Sequence, residues 1–345
     1  MNASGRGRAR TLVTAIAAVS AIATAACGGS GGNPPVGAPP ASGHTAAERA
    51  ATLTWLAKTS RIWTTADFAT LGQVTTGEAR RAYQAEEPQN ASAPIPSGRK
   101  PFRLTGLSIT VPCHRGPETT FVAYADTDVF TLGQSMQPAA LVFQRTGGVW
   151  KLAAVVNHSS GGGRTRWPAL CRTGAGPAAP VTAPAVLAPA DYGPVLVRTL
   201  DHASTGARET AAAAAPFAVN SFFSGPGSIN VTSAQQTRQD RAGGVSLVTR
   251  FAPAADPTMA LPLAGGRGYW LVGVFAQTGI HRCAAGIRKA TWPDGDSVGS
   301  PRPAVVHHET DTFITTYTAI DPLRSSGGPV TLDGFFGWPL TATTS

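Results

Sequence analysis

The chain has 345 residues, 42% of them hydrophobic and only 14% charged, which is enough apolar material for two domains and excludes wholesale disorder. Four cysteines exclude a disulfide-dense scaffold, and the 39 glycines and 28 prolines lack the triplet period of collagen. Setting aside Arg6, Arg8 and Arg10, which precede the first apolar run, leaves 25 cationic against 19 acidic side chains, a charge of +6 with no basic block, so nucleic acid is not an expected partner.

Residues 1–26 read as an export signal: three arginines, then an apolar and small-residue stretch over 12–23. That stretch is shorter than the roughly 20 residues of a membrane-spanning helix. It runs into Ala23-Thr24-Ala25-Ala26-Cys27-Gly28-Gly29, which resembles a bacterial lipobox. In that resemblance Cys27 receives diacylglycerol and becomes the mature N-terminus. Thr24 stands where lipoproteins usually carry Leu, Val or Ile, and cleavage at Ala23-Thr24-Ala25 with release of a soluble protein is the alternative. Residues 27–43 favour lipidation: GGSGGNPPVGAPPASG after Cys27 has no apolar period and makes a flexible tether. Export places Cys113, Cys171 and Cys283 in an oxidising compartment, where one bridge forms and one thiol is left over. Cys113–Cys171 is the preferred pair, closing a loop within the first half for about 4 kcal/mol; Cys283 is then a buried small hydrophobe.

The pattern turns helical at residue 44. Thr45 with Glu48 reads as a capping box, and Leu53, Leu56, Ala57, Ser60 and Trp63 recur at helical spacing. Thr75 with Glu78 repeats the capping signature before a helix over 79–87, stopped by Pro88. The period then becomes two, predicting strands at 102–111, 119–129, 139–145 and 149–157, the last pair joined by a turn at Thr146-Gly147-Gly148. Residues 174–190 are a Pro/Ala linker. A second helix follows on Val195, Leu196, Leu200 and Ala203 and runs toward the alanines of 211–215. Strands are then predicted at 228–232, 245–251, 269–276, 304–320 and 330–336. Helices before antiparallel strands is α+β order, repeated in domains at 44–173 and 191–345.

The helices up to Glu87 followed by TTFVAYADTDV and AALVFQRTGGVWKLAAVVN resemble NTF2-like (SnoaL-like, cystatin-like) domains. With the tail FITTYTAIDPLRSSGGPVTL, the layout is similar to actinobacterial lipoproteins carrying a tether and two such halves. The resemblance implies N-terminal helices on a curved antiparallel sheet with a pocket in each half. It fixes no activity, because the fold serves isomerases and cyclases as well as proteins that only bind or dock.

Standard nucleophile, nucleotide, zinc and calcium motifs are absent from the sequence, so no cofactor is expected. In the run His307-His308-Glu309-Thr310-Asp311, a strand places His307, Glu309 and Asp311 on one face, able to ligate a divalent cation or set His307 for proton transfer. The plainer reading is a solvated strand face. The family resemblance gives Asp126 or Asp128, beside Tyr124, the place of a base in an apolar cone; both also suit the polar end of a strand. Trp55, Trp63, Trp150 and Trp270 read as core. Trp167, Trp292 and Trp338, each beside a proline, are loop anchors or a binding patch. The expected function is non-catalytic binding or docking at the outer face of the membrane, with a small molecule or an envelope protein as partner. The alternative is an envelope enzyme of NTF2-like type working through a pocket carboxylate or histidine.

Overall fold

The computed structural model describes residues 43–81, 100–112, 119–129, 136–157, 167–170, 184–204, 215–218, 244–254, 258–288 and 305–344. Cys27, Cys113, Cys171, Trp292, the strand expected at 228–232 and nearly all of 211–215 lie outside them.

The first helix, α1 (Gly43–Thr65), buries Glu48, Thr52, Trp55, Thr59 and Ile62, positions three and four apart that make one face. Its outer face carries Arg49, Leu53, Lys58 and Arg61. Because the helix starts at Gly43, Thr45 falls inside the first turn rather than at the cap, and Glu48 is buried. Four strands follow as an antiparallel meander: β1 (Leu104–Thr110), β2 (Thr120–Thr127), β3 (Gln137–Thr146) and β4 (Val149–Asn157). The β3–β4 turn is Gly147-Gly148, both at positive φ (59° and 79°), the conformation a two-residue hairpin needs and glycine adopts freely.

Alternation gives this sheet two buried faces. Phe121, Ala123, Leu141, Phe143, Leu152 and Val155 pack with Trp55 and Ile62 of α1. Val122, Ala140, Val142, Ala154 and Val156 turn the other way. A register shift after Val142, which leaves Ala153 extra on β4, lets Leu152 and Val155 share the helix side despite their odd spacing.

The second half repeats the order. Helix α3 (Pro189–Ser204) precedes β5 (Ser246–Pro253), β6 (Met259–Pro262), β7 (Gly268–Arg288), β8 (Val305–Pro322) and β9 (Thr331–Thr344), an antiparallel sheet ordered β5-β7-β8-β9 with β6 also on β7. Tyr192, Leu196 and Leu200 of α3 pack on Leu271, Phe275, Tyr317 and Ala319 of one face. Tyr317 lies across its register partner Gly273, where a Cβ would collide with the phenol. The opposite face carries Trp270 and Val272, which join Leu261 and Leu263 in one cluster with Val122, Ala140, Val142, Ala154 and Val156. Among the described residues the chain is therefore α+β, two antiparallel sheets each covered by a helix on one face, with Trp270 joining their other faces and Val274 and Ile314 of the second sheet reaching the α1-side cluster of the first.

Beyond Gln73, residues 74–76 run parallel beside β4: the Thr76 N–H donates to the Leu152 carbonyl at 2.8 Å, and the Leu152 N–H to that of Val74 at 2.9 Å. This delivers a short helix, α2, described over 77–81, against the second sheet. Instead of closing a capping box, the Glu78 carboxylate accepts the hydroxyl of Thr316 on β8. The Thr75 hydroxyl donates back to the Leu71 carbonyl at 2.7 Å. Glu78 is fully buried, and burial pushes its carboxyl up to about 8 against the pull of Thr316 and Arg81.

Candidate binding cavity

The end of the Pro/Ala linker is fastened to the second sheet. The Val186 N–H donates to Asp321 Oδ1 at 3.1 Å and the Leu187 N–H to Asp321 Oδ2 at 3.3 Å. The Val186 N–H also reaches the Pro322 carbonyl at 3.2 Å, and the Arg324 N–H the Pro184 carbonyl at 2.9 Å. Residues 184–189 thus form a strap across the end of β8. Pro189 then opens α3 at the first helical position, where its missing N–H costs nothing.

Between strap and sheet lies a cavity of about 310 Å³, at the small end of the roughly 300–1,000 Å³ usual for small-molecule sites. Leu187, Ala260 and Leu271 supply apolar wall, Tyr269 and Asp321 its polar atoms, and exposed Arg324 stands at the rim. Asp321 is fully buried. Burial raises its carboxyl above the usual range, and the two backbone N–H bonds pull it partway back. Burial raises the Tyr269 phenol as well, and the neighbouring Asp321 charge adds to the rise. Among the described residues the one carboxylate lining the cavity has both oxygens engaged in holding the strap. That arrangement suits a rigid binding site better than proton transfer.

The acids and histidines singled out in the sequence occupy other places. Asp126 is exposed on β2, opposite Thr105 and Pro138. Asp128 is buried, its Oδ1 accepting the Arg103 N–H and its Oδ2 the Arg103 Nε, both at 2.7 Å, while the Thr127 hydroxyl donates to the Arg103 carbonyl. Asp128 therefore positions the start of β1. His307 is exposed opposite a bulge in β7, where the four residues Cys283 to Gly286 face it alone, and its Nδ1 lies 3.3 Å from the Cys283 carbonyl. Cys283 itself is a buried thiol.

Glu309 and Asp311 are buried on the same side of β8. The histidine that meets them is His281 of β7, opposite Glu309 in register, with Nε2 3.1 Å from Asp311 Oδ2. Gly279, opposite Asp311, leaves the room for that diagonal contact, since a Cβ there would sit 3.3 Å from His281 Nε2. Among the described residues no three His, Cys, Asp or Glu side chains are placed to hold a metal ion. Trp55 and Trp270 are buried, Trp63 stacks on Phe102, and Trp150 meets Phe121 edge to face. Trp167 stacks on Tyr124 at 5.2 Å between centroids. Glu78 and Asp321 had signals in the sequence, a capping spacing and the string AIDPL. Neither string names its partner, Thr316 or the strap, because those lie 238 and about 135 residues away.

The two helix-covered sheets define an α+β protein with a half-open, strap-bordered cavity at the end of one sheet. No family model, no curated protein and no solved structure matches the chain. Among the described residues no helix is long and apolar enough to cross a membrane.

Proposed function

We propose that the chain is an exported, lipid-anchored envelope protein that binds a small, mainly apolar molecule bearing an acidic group and catalyses no reaction on it. The observation that carries the reading is the cavity beneath the strap: its walls are apolar, its carboxylate is occupied by two backbone N–H groups, and a cation stands at its rim. The apolar body of the ligand fills the space beside Ala260 and Leu271, and its acidic group meets Arg324. The arginine-led apolar segment, Cys27 and the glycine- and proline-rich tether support export and anchoring. The helix-on-sheet build of each half supports an NTF2-like reading of both.

A fluorescent medium-chain fatty acid tests the cavity. Saturable binding is expected, abolished by Ala260→Trp, which fills the space, and weakened about tenfold by Arg324→Ala. Absence of binding, or equal affinity in the Ala260→Trp protein, would overturn the reading.

A further inference from the structure

The outer face of α1 offers a second surface. Lys58 and Arg61 are exposed on it, Arg49 is exposed at its edge with Nη1 donating to the Leu107 carbonyl at 3.1 Å, and Glu48, the one acid in the helix, is buried on the opposite side. Among these cations stands Leu53, 47% exposed, one of three large apolar side chains so exposed among the described residues. Leu53 edges a groove of about 410 Å³ that continues over Ala57 and Arg61 to Pro101, and Lys100 is exposed beside Pro101. A helix face with cations around a projecting leucine is suited to an anionic lipid surface: the charges stay among head groups while the leucine enters the acyl boundary.

Position along the chain selects that occupant. Only the 15 residues 28–42 separate Cys27 from Gly43, where α1 begins, and a chain of that length spans about 20 Å on average. A lipid on Cys27 therefore keeps the start of α1 within reach of the bilayer.

We infer that the Arg49–Leu53–Lys58–Arg61 face of α1 docks on an anionic phospholipid surface as the second membrane contact of the protein. This rests on the lipid-anchor reading above, but its test does not use the lipid. The chain from residue 27 onward, carrying Cys27→Ala and hence unlipidated, is mixed with vesicles of phosphatidylcholine alone or of phosphatidylcholine with phosphatidylglycerol. Sedimentation with the phosphatidylglycerol vesicles at low salt is expected, with little on the neutral ones and loss in high salt. Each cation brought to an anionic surface strengthens binding about fivefold, so Lys58→Glu with Arg61→Glu should weaken it at least tenfold. Leu53→Asp should weaken it as well, and the milder pair Lys58→Ala with Arg61→Ala serves if the reversed pair changes the unfolding transition. No binding, equal binding to neutral vesicles, or binding unchanged in either charge variant would overturn the inference. None of those results touches the anchor, whose own failure shows as a missing lipid mass on Cys27.

Discussion

Raising the pH from about 5 to about 8.5 is expected to weaken the fold through one carboxyl group, Glu78. In the folded chain burial pushes this group up to about 8, whereas a freely solvated one ionises near 4.5. Below the lower value both states are protonated and the contribution of Glu78 is fully present. Between the two the unfolded chain releases the proton while the folded chain keeps it. Stability therefore falls by up to about 1.4 kcal/mol per pH unit and levels off above about 8. The physical cause is the seam itself: α2, carried by the 74–76 bridge on β4, presses the carboxyl against Thr316 where water is excluded. Glu78→Gln keeps the shape and an acceptor for the Thr316 hydroxyl but cannot ionise. It is expected to match the parent near pH 5 and exceed it by about 2 kcal/mol or more near pH 8.5. Urea unfolding of both proteins across that range is the check, and an unchanged pH slope in the variant would refute the assignment.

The second large effect is expected at Trp270. Its indole is buried where the back of one sheet meets the back of the other, among Val122, Val142, Ala154 and Val272 and with Tyr124 at 6.4 Å between ring centroids. Trp270→Ala empties that contact and should cost about 3–5 kcal/mol, the range for deleting a buried aromatic. Because the lost surface belongs to both halves, unfolding should also cease to be a single transition, with the first half melting apart from the second. A cost below about 1 kcal/mol would mean that the two sheets do not depend on each other for stability.

Local pattern revealed the elements dense in branched and aromatic apolar residues. β2, β3 and β4 are such runs, buried on both faces, and the Gly147-Gly148 turn declares its hairpin. The far ends of β7 and β9 were harder to read, whereas β8 spans nearly the predicted 304–320. Residues 277–288 (QTGIHRCAAGIR) have no run of branched apolar side chains, and their place in the sheet comes from pairing with β8, not from their own propensity. Helix α3 begins at Pro189, six residues before the Val195 from which its apolar pattern is read, and holds Pro194 inside it. The candidate cavity was the least legible part. Asp321 is one acid in a polar-looking tail until Val186 and Leu187, far away in sequence, donate to it. In the same way His281, not the His307-His308 pair that stands out in the sequence, reaches Asp311, because register and the missing side chain of Gly279 decide the contact. Spacing along one strand tells which side chains share a face, but not which neighbour is paired beside them.

The proposal as a whole, an anchored protein with an occupied cavity, stands or falls on the intact mass of the protein taken from its own membranes under native conditions. The expected result is a mature chain beginning at Cys27 with a diacylglycerol increment on that residue and a small acidic molecule retained by the folded protein. An unlipidated chain beginning elsewhere, recovered from the soluble fraction with an empty cavity, would contradict it.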